Sequence, residues 1–289
     1  MSPPPPLTPD PKSTFRPDLF KGKVLFCTGG RSGICYQIVE TMMSLGVDAA
    51  IVGRDAKGLE ESAKKLEAST GGKCIPAPAD VRQPDQLKDA VKRTQEAFGR
   101  IDFVICGAAG NFLAPISGLS ERAFRTVIEI DLLGTYNTLK ATLPLVRASR
   151  GSYVHISATL HYRGVPYQSH VGAAKAGVDA LNHSIAVEEG PWGVRSNVIA
   201  PGPIAETVGM DKLGTKGRKV EREVPLGRLG STVDIANAAV FLFSPASAWI
   251  TGATLVVDGG EHHIRSTMLP YPESLLDPES VKSLIKPRL

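Results

Sequence analysis

The chain has 289 residues, 42% of them hydrophobic, and a net charge of +4. That apolar content suffices for one large core, and α/β domains of this length are commonly single. The basic surplus is slight and dispersed, which argues against nucleic acid and fits anionic small ligands or simple solubility.

The N-terminus, MSPPPPLTPDPKSTF, has no apolar core that could serve as a secretory signal. Its prolines supply no amide donors, so residues 1–17 are expected to form an extended, disordered tail. Nowhere does an apolar run reach the length of a bilayer span, and a soluble intracellular protein is expected. The four cysteines, Cys27, Cys35, Cys74 and Cys106, form no CxxC pair, and no histidine stands at metal-ligand spacing. They read as buried free thiols of a reducing compartment, with no metal site.

From Lys23 onward, short β-rich runs alternate with amphipathic stretches. KVLFCTG, VDAAIVG, KCIPAPA and RIDFVICG predict strands; KGLEESAKKLEAS and DQLKDAVKRTQEAF predict helices between them. GSYVHISA, GVRSNVIAPG and ATLVVDGG predict three more strands. The alternation implies an α/β fold: a Rossmann-like, doubly wound parallel sheet of about seven strands with helices on both faces. The single domain should cover residues 18–265. A proline-punctuated extension, 266–289, would follow it, covering a groove or bracing a neighbouring subunit.

The first strand runs into TGGRSGIC, residues 28–35, which opens a helix. Closely spaced glycines there let backbone amides and a helix N-terminus approach a pyrophosphate. Thr28, Gly29, Gly30, Arg31, Ser32, Gly33 and Ile34 are therefore candidate cofactor residues. A tight turn without a ligand is the plainer alternative, and the match of the surrounding unit weighs against it. Cys35 stands where a further glycine is expected, so the helix must pack around a larger side chain.

About twenty residues on, a site for NAD would present an acidic residue to the ribose hydroxyls. This chain presents Gly53 and Arg54. A guanidinium there pairs with a 2′-phosphate, which favours NADPH, although Asp55 follows immediately. Arg31 would add a second positive charge or simply face solvent.

Between Lys23 and about Gly260 the chain resembles the short-chain dehydrogenase/reductase family. The resemblance rests on TGGRSGIC, Asp80–Val81, ICGAAGN, the Lys175 helix HVGAAKAGVDAL, APGPI at 200–204 and VVDGG at 256–260. AAGNFLAPISGLS, EIDLLGTYNT, SATLHYRGVP and the Lys175 helix are similar, more narrowly, to the peroxisomal 2,4-dienoyl-CoA reductases, the fungal form above all. Departures from the wider family point the same way. Cys106 and Gly107 replace Asn-Asn, Ala158 stands at the catalytic serine position beside Ser157, and Val171 stands at the catalytic tyrosine position. A carbonyl reductase would not survive these changes. They are tolerable if hydride goes to carbon and the electron pair drains into a thioester, because no alkoxide then needs a phenolic proton.

The resemblance implies roles residue by residue. Asp131 replaces the usual asparagine and becomes the catalytic aspartate, orienting a water that protonates the α-carbon; a structural aspartate bonding backbone is the alternative. Burial would raise its pKa and Lys175 would lower it, which the sequence leaves open. Lys175 should hold the nicotinamide ribose and supply positive charge. Asp80 and Val81 border adenine, Ala108 and Gly110 follow the fourth strand, Pro201, Gly202 and Ile204 wrap the carboxamide, and Thr207 reaches a phosphate. Phe112 would line an acyl groove, and Arg82 and Lys212 would bind CoA phosphates, each of the three with a packing or solvated alternative. His170 adjoins the tyrosine position and is left outside the catalytic set. Tyr136 and Lys140 repeat the Tyr-x-x-x-Lys spacing on the helix after Asp131 and read as a decoy.

The expected activity is NADPH-dependent reduction of a 2,4-dienoyl-CoA to a 3-enoyl-CoA. Reduction of a 2-enoyl-CoA or a ketone, with Tyr162 or Tyr167 as a substitute donor, is the alternative enzyme; an inactive NADPH-binding subunit is the alternative of another class. Small residues on the Lys175 helix, Gly172, Ala173, Ala176, Gly177 and Ala180, suggest a homodimer or homotetramer. The terminal Lys-Pro-Arg-Leu partly matches an SKL-like address, so a peroxisomal import receptor and a peroxisomal location are expected, with the cytosol if that address is silent.

Overall fold

Seven short apolar runs become seven parallel strands in a computed structural model that describes residues 10–207, 224–264 and 276–277. They are β1 Val24–Thr28, β2 Asp48–Gly53, β3 Cys74–Pro78, β4 Phe103–Cys106, β5 Ser152–Ile156, β6 Arg195–Pro201 and β7 Thr254–Val257, in the order β3-β2-β1-β4-β5-β6-β7. The expected α/β, doubly wound sheet is present. Helices α2 Gly33–Ser44, α3 Ala56–Thr70, α4 Pro84–Phe98, α6 Gly134–Ser149, α7 Ser169–Glu189 and α8 Thr232–Phe243 cover it. Two shorter helices, α1 Pro11–Thr14 and α5 Glu121–Val127, lie outside that set.

Strands β1 to β5 each feed two cores. In β1, Leu25 and Cys27 join Ile38 of α2, Leu59 of α3 and Ala236 of α8, whereas Phe26 joins Leu87 of α4, Leu139 of α6 and Ile185 of α7. Side chains alternate across the pleat, so a strand buried on both faces has to be apolar throughout, and all five residues of β1 are buried. Helix ends follow their local chemistry. Asp55 accepts from the Gly58 amide at the start of α3, and α3 and α4 stop on left-handed Gly71 and Gly99.

The chain winds outward from β1 to β3, then crosses back to β4 beside β1. Above the carboxyl ends of β1 and β4 the connections diverge, leaving the crevice in which open α/β sheets bind ligands. A second irregularity faces it. Between α5 and α6, Ile128–Leu133 winds as a π-helical turn, with the Gly134 amide bonded to the Glu129 carbonyl five residues back. Such turns concentrate at functional sites.

Order begins earlier than the proline content suggested. Asp10 caps the single turn of α1 through the Lys12 amide, Phe15 and Leu19 pack on the core, and Phe20 is buried with its ring edge-on to Phe103. Lys212 and nearly all of the 266–289 extension, including the terminal Pro-Arg-Leu, lie outside the described residues.

Candidate active site

A cleft of about 430 Å³ opens above β1 and β4, lined by Gly29, Arg31, Ser32, Gly33, Ile34, Arg54, Asp80, Val81, Ala108 and Thr207 from the sequence-derived set. Its geometry comes from the glycine turn. Gly29 has φ +76°, and a Cβ there would sit 2.8 Å from the Gly107 carbonyl oxygen, so only glycine lets β1 and β4 close at this level. Gly33 has φ +61°, with nothing within 4 Å of where its Cβ would be. It opens α2, whose N-cap Ser32 makes no side-chain capping bond and whose first turn carries no acid. The amides of that turn therefore face an open, electropositive cradle of the size and polarity a pyrophosphate needs.

Thr28 and Gly30 do not line the cleft. Thr28 is buried; its hydroxyl donates to the Ile105 carbonyl and accepts from the Gly107 and Ala108 amides, bracing the cleft floor. A Cβ on Gly30 would strike Ile51. Cys35, Val52, Gly53, Ala79, Gly107, Ala109, Ile130 and Ile156 complete the lining and were not among the candidate site residues drawn from sequence. Most stand at strand ends beside the crevice, and that position was the available signal. Cys35 and Gly107 also explain one another, because the Cys35 sulfur occupies the space a side chain at 107 would need.

At the far end of the cleft, Arg54 lies on the lining. Asp55 is turned away: its Oδ1 holds the Gly58 amide at 3.1 Å and its Oδ2 lies 3.5 Å from Arg31. Arg82 is not a free cation. Its Nε and Nη2 clasp Asp80 at 3.0 and 2.5 Å, and this hydrogen bonding, with a smaller contribution from Arg54, holds the Asp80 carboxyl below its ordinary range despite partial burial. Asp80 is thereby fixed at the cleft wall, and Arg82 serves as its brace.

The opposite end holds the charged pair. The π-helical turn aims Asp131 inward, where it is fully buried. Its Oδ1 accepts from the Gly110 amide at 2.7 Å, and its Oδ2 lies 3.1 Å from Lys175 Nζ. Lys175 also donates to the Ile156 carbonyl at 2.9 Å, tying α7 to the end of β5. The Oδ2 contact is a charge contact without hydrogen-bond alignment, so Oδ2 retains its accepting capacity. Gly110 is thus a support of Asp131. Val171, at the tyrosine position, is buried with Val127, Ala174 and Leu160 and adds nothing polar.

Around this pair, Phe112 is 37% exposed and stacks on buried His170 with ring centroids 4.4 Å apart. Burial drives the His170 pKa down. Tyr162 packs between His161 and His262, and burial pushes its phenol up to about 12. Tyr167 is exposed, with φ +66°. Pro201, Gly202 and Ile204 sit beyond the cleft lining: the Gly202 amide bonds the Val257 carbonyl, and Ile204 is buried in the core. Tyr136 and Lys140 lie on α6, away from the cleft lining. Among the described residues no cluster of three or more His, Cys, Asp or Glu is placed to hold a metal, and no helix is long and apolar enough to cross a membrane.

Comparison with known proteins gives consistent matches. A family model described as enoyl-(acyl carrier protein) reductase matches residues 29–262. The Saccharomyces cerevisiae peroxisomal 2,4-dienoyl-CoA reductase, (3E)-enoyl-CoA-producing, is 50% identical over 272 residues, covering 92% of this chain and 93% of that one. The Danio rerio enzyme of the same description is 46% identical, covering 85% and 83%. Among solved structures, the citronellol catabolism dehydrogenase of Pseudomonas aeruginosa PAO1 is 32% identical with a TM-score of 0.77, covering 86% of this chain and 98% of that one.

Proposed function

The chain belongs to the short-chain dehydrogenase/reductase family, and from that premise we propose how its residues carry out the reduction of a 2,4-dienoyl-CoA to a (3E)-enoyl-CoA. The activity itself follows from extended identity to enzymes of that description. The observation that carries the mechanism is the buried Asp131–Lys175 pair at the end of a cofactor cleft that holds no tyrosine at position 171.

A nicotinamide cofactor supplies, when bound, a hydride for the δ-carbon of the dienoyl chain. The cleft residues fit it: the glycine turn and the α2 N-terminus for the pyrophosphate, Asp80 and Val81 for the adenine, Ala108 and Ile156 towards the nicotinamide. The reading as NADPH rests on Arg54, with the neighbouring Asp55 carboxylate engaged by the α3 N-terminus and Arg31 instead of opposing a phosphate.

As the δ-carbon gains hydride, the 4,5 double bond shifts to the 3,4 position and the 2,3 pair moves into the thioester, giving a dienolate. Asp131 Oδ2, left without an aligned donor, holds a water against the α-carbon, and Lys175, anchored by Ile156, supplies the proton the water gives up. Protonation at the α-carbon leaves the 3,4 double bond. Nothing in this sequence produces an alkoxide, so Ala158 and Val171 cost nothing.

Phe112 and the exposed apolar residues Leu113, Ile116 and Tyr167 near it suit an acyl chain. Exposed Leu133 and Tyr136 support a homo-oligomer, whereas Gly177 is small for an internal reason: its Cβ would meet Leu132 of the same chain. A peroxisomal location rests on the relatives' descriptions. The test is incubation with NADPH and a 2,4-dienoyl-CoA, followed by product analysis. Loss of reduced nicotinamide with a 3,4 double bond in the product is expected; turnover of a ketone in its place would overturn the reading.

A further inference from the structure

The segment that aims Asp131 into the site also grips the cleft wall formed by the loop after β3. Gly134, whose amide closes the π-helical turn on the Glu129 carbonyl, has no Cβ; one placed there would lie 2.6 Å from Val81 Cγ2 and 3.0 Å from Val81 Cβ. The valine side chain therefore seats in the notch that glycine leaves. Three residues on, the Asn137 side-chain amide donates to the Val81 carbonyl at 3.0 Å. Residues three apart share a helix face, so notch and donor meet the same loop. Hydroxyls stitch this stretch together: Thr135 donates to the Asp131 carbonyl and Thr138 to the Gly134 carbonyl, each at 2.7 Å.

The gripped loop is itself part of the cleft, since Ala79, Asp80 and Val81 all line it. Its backbone donors are almost all engaged. The Ala79 amide donates to the Gly53 carbonyl, Asp80 to the Gln86 side chain, Arg82 to the Asp80 carboxylate and Gln83 to the Asp80 carbonyl. The Val81 amide alone in this run donates to no group among the described residues. With the Arg82–Asp80 clasp on one side and Asn137 on the other, the free amide sits in a backbone that is fixed before a ligand arrives.

We propose that Asn137 is a positioning residue for the cofactor: by holding the Val81 carbonyl it fixes the wall against which the adenine lies, a reading that rests on the cofactor placement proposed above. Asn137 lines no part of the cleft and acts only through Val81. A wall already ordered in the free protein spares the ligand the cost of ordering it, which is how a residue out of contact raises affinity. Loss of the donor leaves the half-buried carbonyl without its partner and frees the peptide to turn. Because the grip and Asp131 belong to one continuous stretch, the adenine wall and the acid–base pair are also held in a fixed relation.

The test uses the full-length protein and two probes, NADPH and adenosine 2′,5′-bisphosphate, which keeps the adenosine end and lacks the nicotinamide. Asn137→Ala removes the donor, and Asn137→Leu removes it at similar bulk and serves if the smaller side chain disturbs folding. By titration calorimetry the Kd for NADPH is expected to rise about 10-fold in either variant, the usual worth of one such hydrogen bond, and the Kd for the bisphosphate by the same factor. The KM for 2,4-dienoyl-CoA at saturating NADPH is expected to hold. A rise for NADPH without one for the bisphosphate, or a parallel rise in the dienoyl-CoA KM, overturns the role, since Asn137 would then act elsewhere or on the fold at large. Unchanged affinity for both probes, with NADPH still weakened by Arg54→Glu, overturns the positioning role and leaves the cofactor placement standing. Unchanged affinity in all three variants overturns that placement, and the role of Asn137 with it.

Discussion

Asp131→Asn is the most informative single change, because it separates charge from shape. The amide keeps an oxygen for the Gly110 N–H that Asp131 accepts at 2.7 Å, and it fits the same buried space. The loss is the negative charge 3.1 Å from Lys175 Nζ, whose side chain is only 7% exposed. Removing one partner of a buried pair leaves the other uncompensated and typically costs 3–5 kcal/mol. With about 2–4 °C per kcal/mol for a domain of this size, melting should fall on the order of 10 °C. Turnover of dienoyl-CoA should fall about 100-fold or more, the usual worth of a positioned acid–base group, and the Kd for NADPH should change little, since Asp131 is not among the residues lining the cofactor cleft. Adding Lys175→Met removes the stranded cation, so the double variant should melt higher than Asp131→Asn alone yet remain inactive. Thermal melts at fixed protein concentration and stopped-flow loss of reduced nicotinamide measure both quantities. Wild-type turnover in Asp131→Asn refutes the mechanism; a double variant no more stable than the single one refutes the electrostatic account of the pair.

Two further outcomes follow from other regions. Arg54→Glu should weaken NADPH, measured by kcat/KM, by about 10- to 100-fold, the equivalent of 1.4–2.8 kcal/mol, with NADH affected far less; an equal loss for both would mean that Arg54 does not read the 2′-phosphate. His155 is fully buried, its ring bonded to Ser196, and burial depresses its pKa from 6.5 to about 4. Between those values the unfolded chain binds a proton the folded chain refuses, so stability is whole above about pH 6.5 and declines as pH falls towards 4, by up to about 3 kcal/mol for this group. Denaturation curves at several pH values should show that slope, and His155→Gln should flatten it.

The strands were readable because burial on both sheet faces forces continuous apolar runs, and the glycine turn because only glycine tolerates the approach of Gly107 to Gly29. The Asp131–Lys175 pair was readable only as a departure from the family pattern. Nothing in IEIDLL announces a π-helical turn, since one extra residue per turn leaves no periodic trace in a six-residue stretch. Side-chain partnerships were equally hidden. Arg82 reads as a surface cation until Asp80 is found two residues away in the same turn, and Thr28 reads as part of a ligand motif until its hydroxyl is seen bridging two strands. The order of residues 10–17 was missed because proline content says nothing of Phe15, Leu19 and Phe20 finding a core.

The sulfur of Cys35 fills the volume a side chain at position 107 would occupy, so these two sites cannot drift independently. A larger residue at 107 forces the thiol to turn aside, and glycine at 35 would leave a gap at the root of the cofactor cleft while 107 stays bare. A change from glycine to asparagine at 107 is therefore easier once residue 35 has become smaller, which ties the tolerance of one site to the identity of the other.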